Sequence, residues 1–232
     1  MKLCVDAGNT RIKWAVWDGQ GWQQAGQVAS HEASGPDWSR LRADVVWISN
    51  VAGPAVAQRL QRAAAQRGWP LHWVQATPCF GGLENGYADP TRLGVDRWAA
   101  AVAAWQPQSG ACLVVSCGTA TTIDAISVAG RFLGGLILPG LTLMQSSLCG
   151  ATAQLQMGAA QYRLFPDNTA DALFSGAVQA TLGAIERQRV ALPHARLLLT
   201  GGAAPLLLPY LPAAESQVDL VLQGVRRISE GV

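Results

Sequence analysis

The chain opens on an apolar run that breaks at a polar turn and resumes. "LCVDAGNTRIKWAVWDG" (3–19) rises through Leu3, Cys4 and Val5, passes Gly8-Asn9-Thr10 and leaves through a second, partly apolar run. That pattern predicts two strands joined by a turn. "DVVWISNVAG" (44–53) is a further β-rich run, and "PAVAQRLQRAAAQRG" after it has a helical pattern that Gly68 and Pro70 end. "LHWVQA" reads as a returning strand. "TPCFGGLENGYADPTRLG" reads as a long loop dense in Gly and Pro, the kind that carries function more often than packing. "VDRWAAAVAAW" is helical, and its alanines suit close packing on a sheet.

The second half repeats this plan. Residues 3–19 overlay residues 113–129, which pairs Asp6 with Ser116, Gly8 with Gly118 and Asn9 with Thr119. Each copy is apolar strand, small-residue turn and outgoing strand. "TADALFSGAVQATLGAIERQRV" then predicts a long helix, and "RLLLTGGAAPLL" a strand, a glycine turn and a helix start. A repeat half a chain long points to a duplicated α/β domain, because solenoid repeats have periods of about 20–50 residues. The boundary is expected near 105–111, at "WQPQSG", giving domains 1–108 and 109–232.

Composition narrows the classes. The chain has 232 residues, half of them apolar, enough for one large domain or two small ones. The net charge of +2 contains no basic run, and Arg11, Lys13, Arg226 and Arg227 are too sparse for a nucleic-acid footprint. Asp6 interrupts any signal-peptide core, and "FLGGLILPGL" is too short and too interrupted to span a membrane. The five cysteines lack metal-binding spacing, which suggests a reduced, cytoplasmic enzyme.

Within the first turn, Gly8 allows close backbone approach, Asn9 and Thr10 supply donors, and Lys13 can reach back as a point charge. Asp6 can hold Mg²⁺ through water. The same residues also suit an ordinary hairpin. The second turn, "CGTAT", and a third at "LTGGAAPLL" strengthen the phosphate reading, while neither G-x-G-x-x-G nor the P-loop pattern occurs. Asp96 and Arg97 stand at a loop-to-helix junction. There they suit a general base and an anion-pairing cation, or a helix cap and a surface partner. His31, His72 and His194 are isolated, the nine Trp read as core, and Asp124 reads as a hairpin polar residue. Asp167 and Asn168 are placed to cap the long helix, which would leave Thr169 in its first turn.

"DAGNTRIKWAVW", "YADPTRLGVDRW", "CGTATTID", "GGLILPGLTLM", "DNTADALFSGAVQATLGAIER" and "LLLTGGAAPLL" fall in the order found in type III pantothenate kinases, the group that includes Bvg accessory factors. The resemblance runs from residue 1 to about 230. It implies the actin-like, sugar-kinase-like ATPase fold, with two duplicated α/β domains and ATP in a cleft between them. It implies phosphorylation of pantothenate to 4′-phosphopantothenate, the first step of coenzyme A synthesis, by a homodimer. On that resemblance Asp6, Ala7, Gly8, Asn9, Thr10, Arg11, Ile12 and Lys13 hold the ATP phosphates and Mg²⁺, and Thr119 also contacts ATP. Tyr87, Gly94, Val95, Asp96 and Arg97 line the pantothenate pocket, Asp96 is the general base, and Thr169 completes the pocket. The family has an aspartate near a bound K⁺ or NH₄⁺ where this chain has Ser116. A hydroxyl contributes a lone pair but no charge. Ser116 therefore admits a second reading, a catalytically weakened, nucleotide-binding regulatory paralogue of the same fold. A kinase of this fold acting on another small hydroxylated acid is a third.

Overall fold

The opening pattern folds as an antiparallel hairpin of β1 (Lys2–Ala7) and β2 (Arg11–Trp17) in a computed structural model that describes residues 1–32, 36–106, 110–151 and 158–231. The chain continues through β3 (Trp22–Ala29), β4 (Val45–Asn50), α1 (Pro54–Gln66), β5 (Leu71–Trp73), β6 (Cys79–Phe80), β7 (Leu83–Asn85) and α2 (Val95–Ala104). Then follow β8 (Cys112–Cys117), β9 (Ala120–Ile126), β10 (Arg131–Pro139), α3 (Leu141–Ala151) and α4 (Thr169–Ala191). β11 (Arg196–Thr200), α5 (Ala204–Leu207), β12 (Ala214–Ser216) and α6 (Leu220–Glu230) close the chain.

The elements form two compact units. The first comprises Met1–Pro107, Gly130–Phe132 and Asp219–Val232, and the second Gln108–Ala129 and Leu133–Val218. They depart from the halves 1–108 and 109–232 chiefly because α6 returns to pack on α2 and β1. Part of the expected boundary stretch, residues 107–109, lies outside the described residues.

The first unit is built on a sheet of order β3-β2-β1-β4-β5. Successive side chains of a strand face opposite ways, so β1 serves two cores at once. Leu3 and Val5 pack with Val46, Ile48 and the α1 residues Val56 and Leu60. Cys4 packs on the other face with Ala99 of α2 and with Leu222 and Val225 of α6. The two helices approach very closely: a Cβ on Gly224 would lie 1.8 Å from the carbonyl oxygen of Ala99. Arg227 then closes the end of α2, donating to the carbonyls of Val102 at 2.7 Å and of Ala103 and Trp105 at 3.2 Å each. Those carbonyls have no partner within their own helix, so the guanidinium both satisfies them and ties α6 to α2.

The Gly/Pro-rich stretch is more ordered than the expected loop. It holds the β6–β7 hairpin and a single 3₁₀ turn, Pro90–Arg92, whose start is capped by Asp89 accepting from the Thr91 amide. β7 gains a parallel partner from a distant segment, with Arg131 opposite Glu84 and Phe132 opposite Asn85.

The second unit repeats the strand order, as β10-β9-β8-β11-β12. β8 is antiparallel to β9 and parallel to β11, which is parallel to β12, as β1 is to β2, β4 and then β5. Leu113, Val115, Ile123, Leu197 and Leu199 form its core with Val178 and Ile185 of α4. Asn168 caps α4, its side chain accepting from the Asp171 amide. Among the described residues no helix is long and apolar enough to cross a membrane.

Candidate functional site

Three polar residues stand in one row across the first unit's sheet. Asp6 of β1 is in register with Lys13 of β2 on one side and Ser49 of β4 on the other. By strand alternation they share the face of Cys4 and Trp47, the face on which α2 and α6 lie. Both parallel strands end just beyond the row, where open α/β sheets place their ligands. Asp96 enters from the first turn of α2, and Asp219 from the residue before α6.

This crowding changes the chemistry of Asp6. Burial pushes its carboxyl up to about 7, and the neighbouring Asp96 carboxylate adds to the rise, with Asp219 contributing less. Lys13 opposes the shift, but its ammonium is hydrogen-bonded at 2.7 Å to Asp219. The hydroxyl of Ser49, fully buried, has no hydrogen-bond partner among the described residues. A pair of carboxylates with an orphaned hydroxyl beside them is an all-oxygen donor set, hard and anionic, which suits Mg²⁺. That ion keeps several waters and takes further oxygens from a phosphate, so it does not require a closed protein cage. Among the described residues no group of three or more His, Cys, Asp or Glu forms one.

The turn beside this row is held from outside. The Gly8 amide donates to the Arg11 carbonyl at 3.0 Å. Ser30 donates from its amide to Thr10 O at 2.9 Å and from its hydroxyl to Gly8 O at 2.6 Å. Arg59 of α1 in turn donates to the carbonyls of Ser30 and Glu32. Asn9, Thr10 and Arg11 are exposed at the tip, whereas Ala7 and Ile12 are core residues that can meet a ligand only through their backbone.

Gly94 precedes α2, and a Cβ there would lie 2.8 Å from Asp96 Oδ1, so glycine leaves the carboxylate its place. That same oxygen accepts from the Arg97 amide at 2.8 Å. Val95 packs into the α2–α6 core. Arg97 is not a surface residue: it is 7% exposed, donates to the Tyr87 hydroxyl at 2.8 Å and lies 5.8 Å from the ring centres of both Tyr87 and Phe132. The fold thus gathers Asp6, Lys13 and Asp96 at one end of the sheet and joins Arg97 to Tyr87.

Ser116, Thr119 and Thr169 belong to the second unit. Ser116 is in register with Thr122 of β9 and Thr200 of β11, so a row of hydroxyls stands where the first unit has lysine, aspartate and serine. Thr119 is exposed at the tip of its turn. Asp124, read as a hairpin polar residue, does lie on β9 of the β8–β9 hairpin but is buried. It is 1% exposed, accepts from the Thr122 hydroxyl at 3.2 Å and lies so close under Gly135 that a Cβ there would sit 2.3 Å from its Oδ1. Thr169, at the start of α4, helps line a largely apolar cavity of about 560 Å³ with Pro139, Met144, Leu148 and Leu173.

Sequence reasoning overlooked Ser49, Asp219 and the burial of Asp124. Ser49 left a trace, a small polar residue inside the apolar run "VVWISN". Asp219 left none, because its partner is 206 residues away.

Comparisons with known proteins bear on the family and the fold. Residues 2–190 match the family model described as type III pantothenate kinase. A type III pantothenate kinase of Nitrosospira multiformis is 44% identical over 98% of this chain and 90% of its own length. Among solved structures, a Campylobacter jejuni protein assigned to the Baf family of transcriptional activators aligns with a TM-score of 0.68 at 22% identity, covering 98% of this chain and 97% of its own. A Sinorhizobium meliloti protein assigned as a 2-dehydro-3-deoxygalactonokinase aligns with a TM-score of 0.56 at 13% identity over the whole of both chains. The structural likenesses show the actin-like, sugar-kinase-like fold. With the family model spanning most of the chain, and the repeated strand order and the polar row at Asp6 already in view, the chain belongs to the type III pantothenate kinase family.

Proposed function

We infer that this chain transfers the γ-phosphoryl group of ATP to the hydroxyl of pantothenate, giving ADP and 4′-phosphopantothenate, the first step of coenzyme A synthesis. The observation that carries the reading is the meeting of Asp6, Lys13 and Asp96 on one face of the first sheet, within a chain of this family. Asp96 accepts the hydroxyl proton as the substrate oxygen bonds to phosphorus and the bond to ADP breaks. Lys13 and the exposed Asn9-Thr10-Arg11 tip face the phosphates, and Thr119 makes a further ATP contact. Arg97, steadied by Tyr87, pairs with the substrate carboxylate, and Thr169 completes the substrate pocket. Mg²⁺, held by Asp6 through water, would neutralise charge on the phosphates. The test is release of ADP by the purified protein with ATP and Mg²⁺, with and without pantothenate. Equal release in both arms would overturn the reading.

The monovalent cation fits this chain poorly. The turn offers the neutral hydroxyls of Ser116, Thr122 and Thr200, and Asp124, on the same strand as Thr122, is buried and hydrogen-bonded to the Thr122 hydroxyl. Neutral oxygens can coordinate such an ion but cannot neutralise it, so activity should either need unusually high K⁺ or NH₄⁺ or vary little with both. Ser116→Asp should introduce activation by K⁺ in a titration of rate against KCl. Wild type already activated at low K⁺ and unchanged by the substitution would assign the charge to another residue.

The protein acts as a homodimer in the cytoplasm, where its five free cysteines stay reduced. The second unit leaves Leu133, Ile137, Leu143, Leu148, Leu164 and Phe165 exposed, Phe165 to 86%, side chains of the kind a subunit contact would cover. Sedimentation should give a dimer at micromolar concentration, and Phe165→Asp should shift it toward monomer. A fully active wild-type monomer would defeat the claim.

A further inference from the structure

Asp219 is oddly spent. It is the residue before α6, where an aspartate normally accepts a hydrogen bond from the helix's own first turn. It makes no such bond, and its backbone is left-handed, with φ 47° and ψ 50°, a conformation that aspartate tolerates better than most residues but that is not the extended one of an ordinary N-cap. Its carboxylate instead holds Lys13 Nζ at 2.7 Å. Neither choice serves the helix, so the reason lies at Lys13.

Lys13 has a second carboxylate beside it. Asp6 is its register partner on the adjacent strand, and a lysine there would ordinarily fold onto it. Asp219 draws the ammonium away, so that Asp6 keeps its oxygens for a ligand. The carrier is firmly fixed. α6 is locked to α2 by Gly224 against Ala99 and by Arg227 on the last carbonyls of α2, and Lys2 of β1 donates to Ser229 O at 2.8 Å. Asp219 is therefore held in place relative to both Asp6 and Asp96.

We propose that Asp219 is a positioning residue of the ATP site, holding Lys13 extended toward the phosphates and off Asp6. The proposal rests on the reading of Asp6 to Lys13 as the phosphate-binding turn. Asparagine tolerates left-handed backbone, so Asp219→Asn removes the charge while keeping the chain's path. Asp219→Gly serves the same purpose should the asparagine variant fold poorly. Each is measured for ATP affinity by calorimetry and for kcat and KM, alone and combined with Lys13→Met.

Asp219→Asn should lower kcat/KM for ATP roughly 10-fold or more, a loss of about 1.4 kcal/mol. The effect should vanish, to within about twofold, in the Lys13→Met background, since Asp219 acts through Lys13. A loss that persists there would assign Asp219 a purely structural role and overturn the proposal. So would tighter ATP binding by Asp219→Asn, the result expected if its charge merely repels the nucleotide. Lys13→Met with wild-type ATP constants would overturn the phosphate reading and the proposal with it. A defective Lys13→Met beside a normal Asp219→Asn would overturn the proposal alone.

Discussion

Asp96→Asn should lower kcat by roughly 10²–10⁴-fold, the contribution usual for a positioned general base, while ATP binding stays near wild type. The substitution keeps the size of the side chain and its ability to accept from the Arg97 amide, now made by Asp96 Oδ1 at 2.8 Å. It takes away the capacity to hold a proton. The clearance above Gly94 suits an amide oxygen as well as a carboxylate oxygen, so the first turn of α2 should keep its shape. Circular dichroism and thermal unfolding will report whether the fold is kept, and steady-state kinetics with saturating ATP and pantothenate will report the loss. Near-normal turnover in a folded Asp96→Asn protein would remove Asp96 from the proton transfer.

Asp6→Asn should produce a protein that is more stable and nearly inactive. In the ligand-free, metal-free state Asp6 has a carboxyl raised to about 7, chiefly by burial and then by Asp96. An unfolded aspartate titrates near 4. Between those values the unfolded chain has lost a proton that the folded chain keeps, so this group's contribution to stability falls as pH rises from about 4 to about 7. A tenfold difference in proton affinity is worth about 1.4 kcal/mol, so the cost at pH 8 comes to a few kcal/mol. Asparagine never ionises and escapes that cost. Denaturant unfolding with chelator present should find Asp6→Asn more stable than wild type at pH 8, with the difference shrinking at pH 5. The same variant should lose turnover by roughly 10²-fold or more, because a carboxylate that costs stability in the empty site is the one available to the phosphate-bound cation. A variant less stable than wild type at pH 8 would mean that Asp6 is held ionised by groups other than those named.

Both substitutions act at a site assembled from parts of unequal legibility. The hairpin of β1 and β2, and the helices α1, α2 and α4, follow from local pattern: alternation over a strand, helical spacing, Pro and Gly at the ends and an asparagine cap. The duplication was visible too, because two copies of one strand-turn-strand pattern overlay without a gap, and the strand order repeats accordingly. Asp6, Lys13, Asp96 and Arg97 stand out because charged residues at turns and at a loop-to-helix junction break otherwise apolar runs.

Other features needed the tertiary structure. Ser49 meets Asp6 through a parallel pairing, and parallel strands are set side by side by a crossover whose docking no short-range pattern specifies. Asp124 reads as an ordinary polar residue of a hairpin strand, yet it is buried, with Gly135 in close approach. The final helix reads as part of the second half, but its glycine and arginine fit α2, and that fit carries Asp219 to Lys13. Local propensity acts over a few residues and is written where it acts. Register between distant strands, helix docking and the burial of a charge depend on which surfaces meet, and only the packed chain decides that.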